Sequence, residues 1–280
     1  MALDHGLIGV EGPAHERTWT AKDTMLYALG VGAGTSELEF ATEKGQRVLP
    51  TFAVLAAQAP RRPLGDFDPA MLVHAEQSFE LHRELPPAGG VRTTSKVTGI
   101  YDKGSGALVT SSATAVDLRT GEPLITSRSA VFIRGEGGFG GDRGPRDPWT
   151  LPDRAPDHKV TYPTRPEQAL IYRLSGDYNP LHSDPEFAAR AGFDRPILHG
   201  LCTYGVTGRA LLHVVAGSDP ARFRAMSGRF TSPVFPGESL TVSIWVDGAE
   251  VLFRTAKDDG TVVLDRGRAT VGEVSPLPGP

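Results

Sequence analysis

The hydrophobic and polar positions along the chain predict two similar halves. In each half, a residue with a hydroxyl group is followed three positions later by a residue with a carboxylate, which is the pattern of a capping box at the start of a helix. The pairs are Thr20 with Asp23 and Thr164 with Glu167. A second apolar segment of helical length follows in each half, at residues 48–59 and at residues 197–216. The same order of segments in both halves indicates an internal repeat.

Each half ends in runs of β-branched and alternating residues that predict antiparallel strands. In the first half the predicted strands are residues 75–85, 91–101, 107–118 and 123–133. In the second half they are residues 226–234, 239–246, 250–256 and 262–271. Glycine-containing turns such as Lys103-Gly-Ser-Gly106 separate them, as in hairpins. One long apolar helix against one antiparallel sheet in each half is an α+β arrangement.

Between the two halves the apolar periodicity is lost. Residues 135–156 read GEGGFGGDRGPRDPWTLPDRAP, and this density of glycine and proline predicts a linker without a helix or a central strand. We therefore predict a first repeat at residues 1–134, the linker at residues 135–156, and a second repeat at residues 157–280.

Composition is that of an ordinary globular protein. Of the 280 residues, 39% are hydrophobic and 22% are charged, which is enough apolar material for a sizeable core. The formal net charge of −4 gives no basic footprint for nucleic acid. The single cysteine, Cys202, excludes an intramolecular disulfide and a cysteine-based zinc site, and a buried packing role is expected for it. No apolar run reaches the roughly 20 residues that span a bilayer, so no membrane contact is expected.

The segment at residues 172–212 carries the candidate chemistry. A helix is predicted to end at Gly176, and the turn Asp177-Tyr-Asn-Pro180 follows because a residue before proline avoids the helical conformation. Asp177 and His182 lie within and beside this turn, five residues apart. A carboxylate and an imidazole held side by side can bind one water molecule and move its proton.

Two helix starts follow this turn. Asp184 is predicted to be the N-cap of a short helix that has Pro185 in its first position and ends at Gly192. A longer helix is predicted to begin at His199-Gly200. The free N–H groups at that start, including that of Gly200, favour a developing negative charge such as that on a thioester oxygen.

The motif Gly176-Asp-Tyr-Asn-Pro-Leu-His-Ser-Asp184, followed by Pro196-Ile-Leu-His-Gly200, resembles the signature of the R-specific enoyl-CoA hydratase family, also called MaoC-like hydratase 2. Segments at residues 27–33, 48–52 and 134–141 are likewise similar to the hydratase 2 domain of the peroxisomal multifunctional enzyme. The resemblance covers nearly the whole chain. It implies a double hot-dog fold, in which each repeat is a long helix wrapped by an antiparallel sheet.

The resemblance also implies roles for individual residues. The catalytic pair falls on Asp177 and His182, a positioning residue on Asn179, and the backbone oxyanion donor on Gly200. The implied substrate-binding residues are His74, Ala75, Lys103, Asp177, Tyr178, Asn179, Pro180, Leu181, His182, Gly200 and Phe230. Relatives tend to have His-Gly-Glu-Gln where this chain has His-Ala-Glu-Gln at residues 74–77. No cofactor and no metal are implied, because the CoA thioester is itself the substrate.

The two repeats differ at this motif. At the position of the Asp and His residues the first repeat has a glycine-rich loop, Gly30-Val-Gly-Ala-Gly34, so we predict that only the second repeat is catalytic. The first repeat is then free to enclose the acyl chain, and the small loop is expected to leave room for it. Because this loop follows a helix and not a strand, it does not fit a dinucleotide-binding loop.

Reversible hydration of a trans-2-enoyl-CoA to the (3R)-3-hydroxyacyl-CoA, in fatty-acid metabolism, is the function that the resemblance implies. Two alternatives stay open: a 3-hydroxyacyl-thioester dehydratase of a biosynthetic pathway, and a non-catalytic module that binds acyl thioesters. The intact pair of Asp177 and His182 argues against the non-catalytic module. A metal site made by this pair with Asp184 and His199 follows no known zinc spacing and is not predicted. Lys103 fits either a solvated hairpin residue or a phosphate contact.

The chain ends suggest where the protein acts. The first residues, Met-Ala-Leu-Asp-His-Gly, show no secretory signal, and the last five, Pro-Leu-Pro-Gly-Pro, lack the peroxisomal tripeptide of eukaryotic relatives. A cytoplasmic homodimer that acts on CoA thioesters, as in beta-oxidation, is therefore expected.

Overall fold

In the computed structural model, which describes residues 3–60 and 62–272, ten strands form one continuous sheet. The strands are β1 His15–Trp19, β2 Leu72–Leu81, β3 Gly89–Asp102, β4 Gly106–Asp117, β5 Pro123–Arg134, β6 His158–Pro163, β7 Phe223–Phe230, β8 Ser239–Asp247, β9 Glu250–Lys257 and β10 Val262–Val271. The α-helices are α1 Ala21–Gly30, α2 Leu38–Ala41, α3 Ala53–Ala56, α4 Gln168–Tyr172, α5 Pro185–Arg190 and α6 Gly200–Val215. The 3₁₀ helices are His5–Leu7, Pro50–Phe52, Pro69–Met71, Arg173–Ser175, Pro180–His182 and Pro220–Arg222. The predicted α+β class is confirmed.

The sheet joins the two halves of the chain. Its strand order is β1-β3-β4-β5-β2-β7-β10-β9-β8-β6, with all neighbours antiparallel. The first five strands come from the first half and the last five from the second. They meet where β2 pairs with β7, for example Phe79 with Met226. Each half alone would therefore expose an unpaired strand edge.

The eight predicted strands are present, and their ends differ from the prediction by a few residues. The largest differences are at β2 and β7, which both begin and end earlier than predicted. β2 ends at Leu81 because its partner β5 begins with Pro123 and offers little strand to pair with beyond that point. The sequence did not indicate β1 or β6. Both are short strands at the edges of the sheet. Along each of them, exposed residues alternate mainly with half-buried residues, so the apolar pattern is weak.

One of the two predicted capping boxes forms. The Asp23 carboxylate accepts hydrogen bonds from the backbone N–H and from the hydroxyl of Thr20, both at 2.7 Å, and α1 begins there. The second predicted box is wrong. Thr164 donates its hydroxyl to the Glu238 carbonyl at 2.7 Å, so it holds a loop of the sheet, and α4 begins only at Gln168.

The long helix predicted for each repeat is present only in the second. In the first half, residues 48–59 form a 3₁₀ turn and then the four-residue helix α3. Side chains from Pro50 to Ala57 are all buried, and an apolar run that is buried on every side does not specify how long its helix is. The second half has the 16-residue helix α6.

Helix α6 is buried against both halves. Its residues from Cys202 to Leu212 are all buried, including the thiol predicted to pack inside. Two glycines allow the first half to approach closely. A Cβ on Gly205 would lie 2.4 Å from Val31, and one on Gly208 would lie 2.3 Å from Thr51. Larger residues at these positions would separate α6 from the first half.

A buried ion pair also links α6 to the first half. Arg209, which is 3% exposed, donates from Nε to Glu37 at 3.0 Å, and its Nη2 contacts the other oxygen of the same carboxylate. His213 Nε2 lies 2.6 Å from Glu37. Burial would raise the pKa of Glu37, but the hydrogen bonds from His213 and Arg209 outweigh it and hold the pKa at about 2. The carboxylate is therefore charged inside the protein.

Residues 135–156 contain neither a helix nor a strand, as predicted. They nevertheless contact the sheet, because Trp149 donates to the Gly267 carbonyl at 3.1 Å and Asp147 pairs with Arg268 at 3.1 Å. Among the described residues no helix is long and apolar enough to cross a membrane. The C-terminal Pro-Leu-Pro-Gly-Pro segment lies outside the described residues.

The buried ion pair generates a stability prediction. We expect Glu37→Ala to lower the free energy of unfolding by about 3–5 kcal/mol, because the Arg209 charge is then buried without its carboxylate partner. Urea denaturation followed by circular dichroism measures this loss.

The matched control is Glu16→Ala, which removes an exposed pair with Arg92 at 2.7 Å. Its loss should stay below about 1 kcal/mol, since exposed ion pairs contribute little. Similar losses in the two variants would contradict the role given to the buried pair.

Candidate active site

The loop at residues 176–182 is held by hydrogen bonds from its backbone N–H groups to its own side chains. Gly176 ends the preceding 3₁₀ helix with φ +118°, a conformation that favours glycine. The Asn179 N–H donates to the Asp177 carboxylate at 3.2 Å, and the Leu181 N–H donates to the Asn179 side-chain oxygen at 3.0 Å. Asn179 was expected to help position the water or the catalytic side chains. In the structure its side chain stabilises the turn.

This loop brings the predicted pair together and adds a second imidazole. One ligating atom each from Asp177, His182 and His199 lies within 4.8 Å of the others. The two imidazole rings are stacked, with their centroids 3.8 Å apart. Both histidines are buried, whereas Asp177 is half-buried. Asp177, but neither histidine, lines a cavity, so the cavity reaches the cluster at Asp177.

Backbone carbonyls assign the protons on the two rings. His182 Nδ1 lies 2.8 Å from the Ile197 carbonyl oxygen, which can only accept, so Nδ1 donates and Nε2 is left as an acceptor. His199 Nε2 lies 3.2 Å from the Asp177 carbonyl oxygen and donates to it in the same way. His199 Nδ1 is buried and has no hydrogen-bond partner in the structure.

Burial keeps both imidazoles uncharged. It lowers the pKa of His182, although the hydrogen bond to Ile197 and the charge of Asp177 oppose this. Burial and the neighbouring His182 together lower the pKa of His199 to about 4. The site at neutral pH therefore offers two acceptors to a bound water, the Asp177 carboxylate and Nε2 of neutral His182.

The start of α6 supplies N–H donors beside these acceptors. Gly200 directly follows His199 and is the first residue of α6, so its N–H has no partner within the helix. A Cβ on Gly200 would lie 3.4 Å from the Phe230 ring, tighter than usual contacts. The Phe230 ring packs against His74, with centroids 5.0 Å apart. Glycine at this position therefore keeps both the ring and the helix start close to the site.

The other implied substrate-binding residues differ in position. His74 lines the same cavity as Asp177, and Ala75 is the extra residue of a bulge in β2. Tyr178 is 57% exposed, with the guanidinium of Arg173 over its ring. His74 thus lies at the cavity beside the cluster, and Tyr178 lies in the turn that carries Asp177.

Lys103 lies elsewhere, in the β3–β4 hairpin. It lines a second groove, of about 360 Å³, on the other face of the sheet, and its Nζ donates to the Arg143 carbonyl. The cationic residues that line this groove are Lys103, Arg128, Arg146, Arg229, Arg266 and Arg268. Glu76 and Asp147 also line it, and they pair with Arg229, Arg266 and Arg268, so half of these cations already have a carboxylate partner.

The cavity beside Asp177 extends into the first repeat and has a volume of about 230 Å³. Leu201 of α6 and Val54 of α3 are among its walls. The glycine-rich loop at residues 30–34 does not line this cavity, and the expectation that it makes room for the acyl chain stays a prediction. A Cβ on Gly32 would lie 3.0 Å from Arg209, which shows that the loop packs on the ion pair. The helix that lines the cavity, α3, is only four residues long.

The spacing of Asp177, His182 and His199 would also suit a metal ion, because each ring keeps one nitrogen as a free acceptor. One nitrogen of each imidazole already donates to a backbone carbonyl. Asp184, considered as a fourth ligand, instead caps α5 by accepting from the Glu186 N–H at 2.8 Å. The absence of a metal stays a prediction.

Comparisons with known proteins place the chain in a family. The MaoC like domain matches residues 149–267, and the MFE-2 hydratase 2 N-terminal domain matches residues 18–135. The 3-hydroxyacyl-thioester dehydratase Y of Mycobacterium tuberculosis is 47% identical over 95% of this chain and 98% of its own length. The chain belongs to the MaoC-like hydratase 2 family. The probable enoyl-CoA hydratase 2 of Dictyostelium discoideum is 41% identical over 91% of this chain and 92% of its own.

Solved structures agree with this assignment. A MaoC-like dehydratase from Phytophthora capsici is 36% identical with a TM-score of 0.86, over 95% of this chain and 98% of that one. A Mycobacterium tuberculosis protein described as having a double hotdog fold matches with a TM-score of 0.55 at 13% identity, over 94% and 96% of the two chains. The double hot-dog fold expected from the sequence is confirmed. In this member of the MaoC-like hydratase 2 family the long helix belongs to the second repeat.

Sequence reasoning did not predict that His199 stacks on His182 beside Asp177 in this MaoC-like hydratase 2 site. It considered this residue only as a metal ligand, although its place immediately before a helix start was a usable signal. The ion pair between Glu37 and Arg209 was also missed. These residues are 172 positions apart, and no local pattern connects them.

The proton assignment generates a prediction about titration. Proton NMR of the imidazole Cε1–H signals should give a pKa below the ordinary value of about 6.5 for His182 and one near 4 for His199. Burial disfavours the charged form, so both rings take up a proton only as the pH falls below the usual range. In urea the same signals should return to about 6.5. A native pKa above 6.5 for either ring would contradict the assignment.

Proposed function

We propose that this protein adds water reversibly to a trans-2-enoyl-CoA and forms the (3R)-3-hydroxyacyl-CoA, in fatty-acid metabolism. One observation carries the proposal: the Asp177 carboxylate and Nε2 of neutral His182 meet beside the start of α6, at a cavity. Membership in a family of hydro-lyases supports it, as do relatives named enoyl-CoA hydratase 2.

Water addition begins with a water held between two acceptors. Its two O–H bonds point to the Asp177 carboxylate and to Nε2 of His182, which leaves an oxygen lone pair for attack on C3 of the substrate. As the C3–O bond forms, one water proton moves to Asp177. The electron pair of the C2=C3 bond moves towards the thioester carbonyl, whose oxygen becomes negative.

The second step returns the proton. The N–H of Gly200, at the start of α6, donates to the negative thioester oxygen, where the helix dipole also favours negative charge. The protonated Asp177 then gives its proton to C2, and the thioester carbonyl is restored. The net result is one water added across the double bond. No electron donor or acceptor takes part, so we propose that the enzyme needs no cofactor.

Dehydration of a 3-hydroxyacyl thioester is the same reaction run backwards at the same site. The relative named 3-hydroxyacyl-thioester dehydratase Y favours this second candidate. Comparing kcat/KM for crotonyl-CoA and for a carrier-protein crotonyl thioester separates hydration of CoA esters from biosynthetic dehydration.

A homodimeric state, a cytoplasmic location and a part in beta-oxidation belong to the same proposal. Light scattering after size-exclusion chromatography tests the dimer. A fluorescent fusion in the source organism tests the location.

Removing either acceptor tests the proposed reaction. We expect Asp177→Asn and His182→Gln each to lower kcat for crotonyl-CoA at least about a hundredfold, because a positioned acid or base contributes about 10²–10⁴-fold. The assay follows the absorbance of the enoyl thioester, and chiral analysis of the product should give the (3R) isomer.

Because both residues act on one water, the double variant should lose far less than the product of the two single losses. Unchanged circular dichroism controls for folding. Near-normal turnover by Asp177→Asn would rule out the mechanism, and a wild-type protein that binds crotonyl-CoA without turnover would favour a binding module.

Chelation tests the metal alternative. Dialysis against EDTA should leave kcat unchanged, because the proposed steps use only side chains and backbone of the protein. The control is a sample dialysed without EDTA. Activity lost on dialysis and restored by Zn²⁺ would instead assign Asp177, His182 and His199 to a metal.

A further inference from the structure

The face of the first repeat's sheet that packs against the helices has polar side chains in its middle. We call them the serine belt, whose members are Gln77, Ser95, Ser111, Ser127 and Ser129. Strand register brings them together, because Ser111 pairs with Ser129 across β4 and β5, and Ser129 pairs with Gln77 across β5 and β2. All five line the cavity that contains Asp177.

The serine belt interrupts an otherwise apolar surface. On β5 the buried residues Ile125 and Val131 lie on either side of it along the strand. Ile125 belongs to the large apolar cluster shared by both repeats, whereas Val131 belongs to a separate, smaller cluster of the first repeat. A sheet face that packs on a core is normally apolar along its length. The polar side chains of the serine belt therefore belong to neither apolar cluster, which indicates a role other than packing in the core.

The cavity connects the serine belt to the chemistry. Asp177 and Leu201 of the second repeat line the cavity together with the belt. The helix α3, which also lines it, is too short to fill this space. A substrate whose C2 and C3 lie beside Asp177 would extend its acyl group into this cavity. The belt is thus a surface that the more distant acyl atoms contact.

Several belt groups are available to a ligand. The Gln77 side-chain nitrogen donates to Ser127 Oγ at 3.0 Å, and Ser127 Oγ donates to the Ser78 carbonyl at 3.2 Å, so these two side chains hold each other in place. Within the described residues, the Gln77 side-chain oxygen and the hydroxyls of Ser95 and Ser111 form no hydrogen bond. They offer an acceptor and two groups that both donate and accept.

A hydrocarbon chain can form no hydrogen bond with any of these groups. If it displaces the water around them, each group that loses its hydrogen bond weakens binding by roughly tenfold or more. An oxygen on the acyl group would replace that water directly. Sites built to hydrogen-bond a substrate oxygen discriminate strongly against analogues that lack it.

We infer that the acyl pocket of this protein takes an acyl group that carries a hydroxyl or ketone oxygen several carbons beyond the double bond, bound by the serine belt. The inference rests on the proposed hydratase function and names its substrate class. The pocket wall thus selects oxygenated acyl groups over unsubstituted chains of the same length.

A matched substrate series tests this inference. Crotonyl-CoA has no carbon beyond C4 and reports the hydratase function. Trans-2-decenoyl-CoA is then compared with four analogues that have one hydroxyl, on C7, C8, C9 or C10. At least one analogue should exceed decenoyl-CoA by tenfold or more in kcat/KM.

Variants of the serine belt then assign the preference. Gln77→Leu and Ser111→Ala should each reduce the preference at least threefold while crotonyl-CoA is hydrated at the wild-type rate. The matched control is Ser78→Ala, since Ser78 lies next to Gln77 on β2 but on the other face of the sheet, where its hydroxyl contacts the Arg128 carbonyl. This variant should keep the full preference. Ser111→Ala alone decides the outcome if Gln77→Leu does not fold.

The outcomes separate the two proposals. Hydration of crotonyl-CoA together with decenoyl-CoA preferred over every hydroxylated analogue would overturn the serine-belt inference and leave the hydratase function standing. A preference that survives Ser111→Ala and Gln77→Leu would also overturn it. Failure to hydrate crotonyl-CoA would overturn the hydratase function, and the inference with it.

Discussion

The burial of α6 is the constraint on which the rest of this structure depends. Residues from Cys202 to Leu212 have no exposed face, so this helix can lie only between the sheet and the first repeat. Gly205 and Gly208 allow that approach. Once the helix is placed, its start is placed too, and His199 and Gly200 lie beside the loop at residues 176–182. The proposed oxyanion donor and the proposed water-binding groups are therefore positioned by the same packing that holds the two repeats together.

Burial has opposite electrostatic results in two parts of the molecule. His182 and His199 are buried without a strong ionic partner, so their pKa values fall and both rings stay neutral. Glu37 is also buried, but Arg209 and His213 hydrogen-bond to its carboxylate and keep it charged. The partners, and not burial alone, decide which form is present. In the proposed reaction neutral His182 accepts a hydrogen bond from the water, whereas the charged pair of Glu37 and Arg209 links α6 to the first repeat.

The two repeats share one arrangement of strands and helices but differ in the length of the helix that packs on the sheet. The second repeat keeps a 16-residue helix that fills its sheet and supplies the helix start. The first has the four-residue α3 at the matching position, and the space left under its sheet is the cavity beside Asp177. A shortened helix would normally cost buried apolar area. Here the sheet face below it has a row of serines, which have little apolar area to lose.

What the sequence determined was mostly local or periodic. The two-repeat α+β plan, eight strands, the capping box at Thr20 and the motif from Gly176 to Asp184 could all be read from residues a few positions apart, and resemblance to a family added the double hot-dog fold. The edge strands β1 and β6 escaped notice because strands with a single neighbour need little apolar pattern. Tertiary structure alone decided the length of α3, the true partner of Thr164, the ion pair of Glu37 with Arg209, and the stacking of His199 on His182. Each of these features depends on groups that are far apart in the chain but buried next to each other. At such places the free energy of packing and desolvation outweighs the local conformational preference of the sequence.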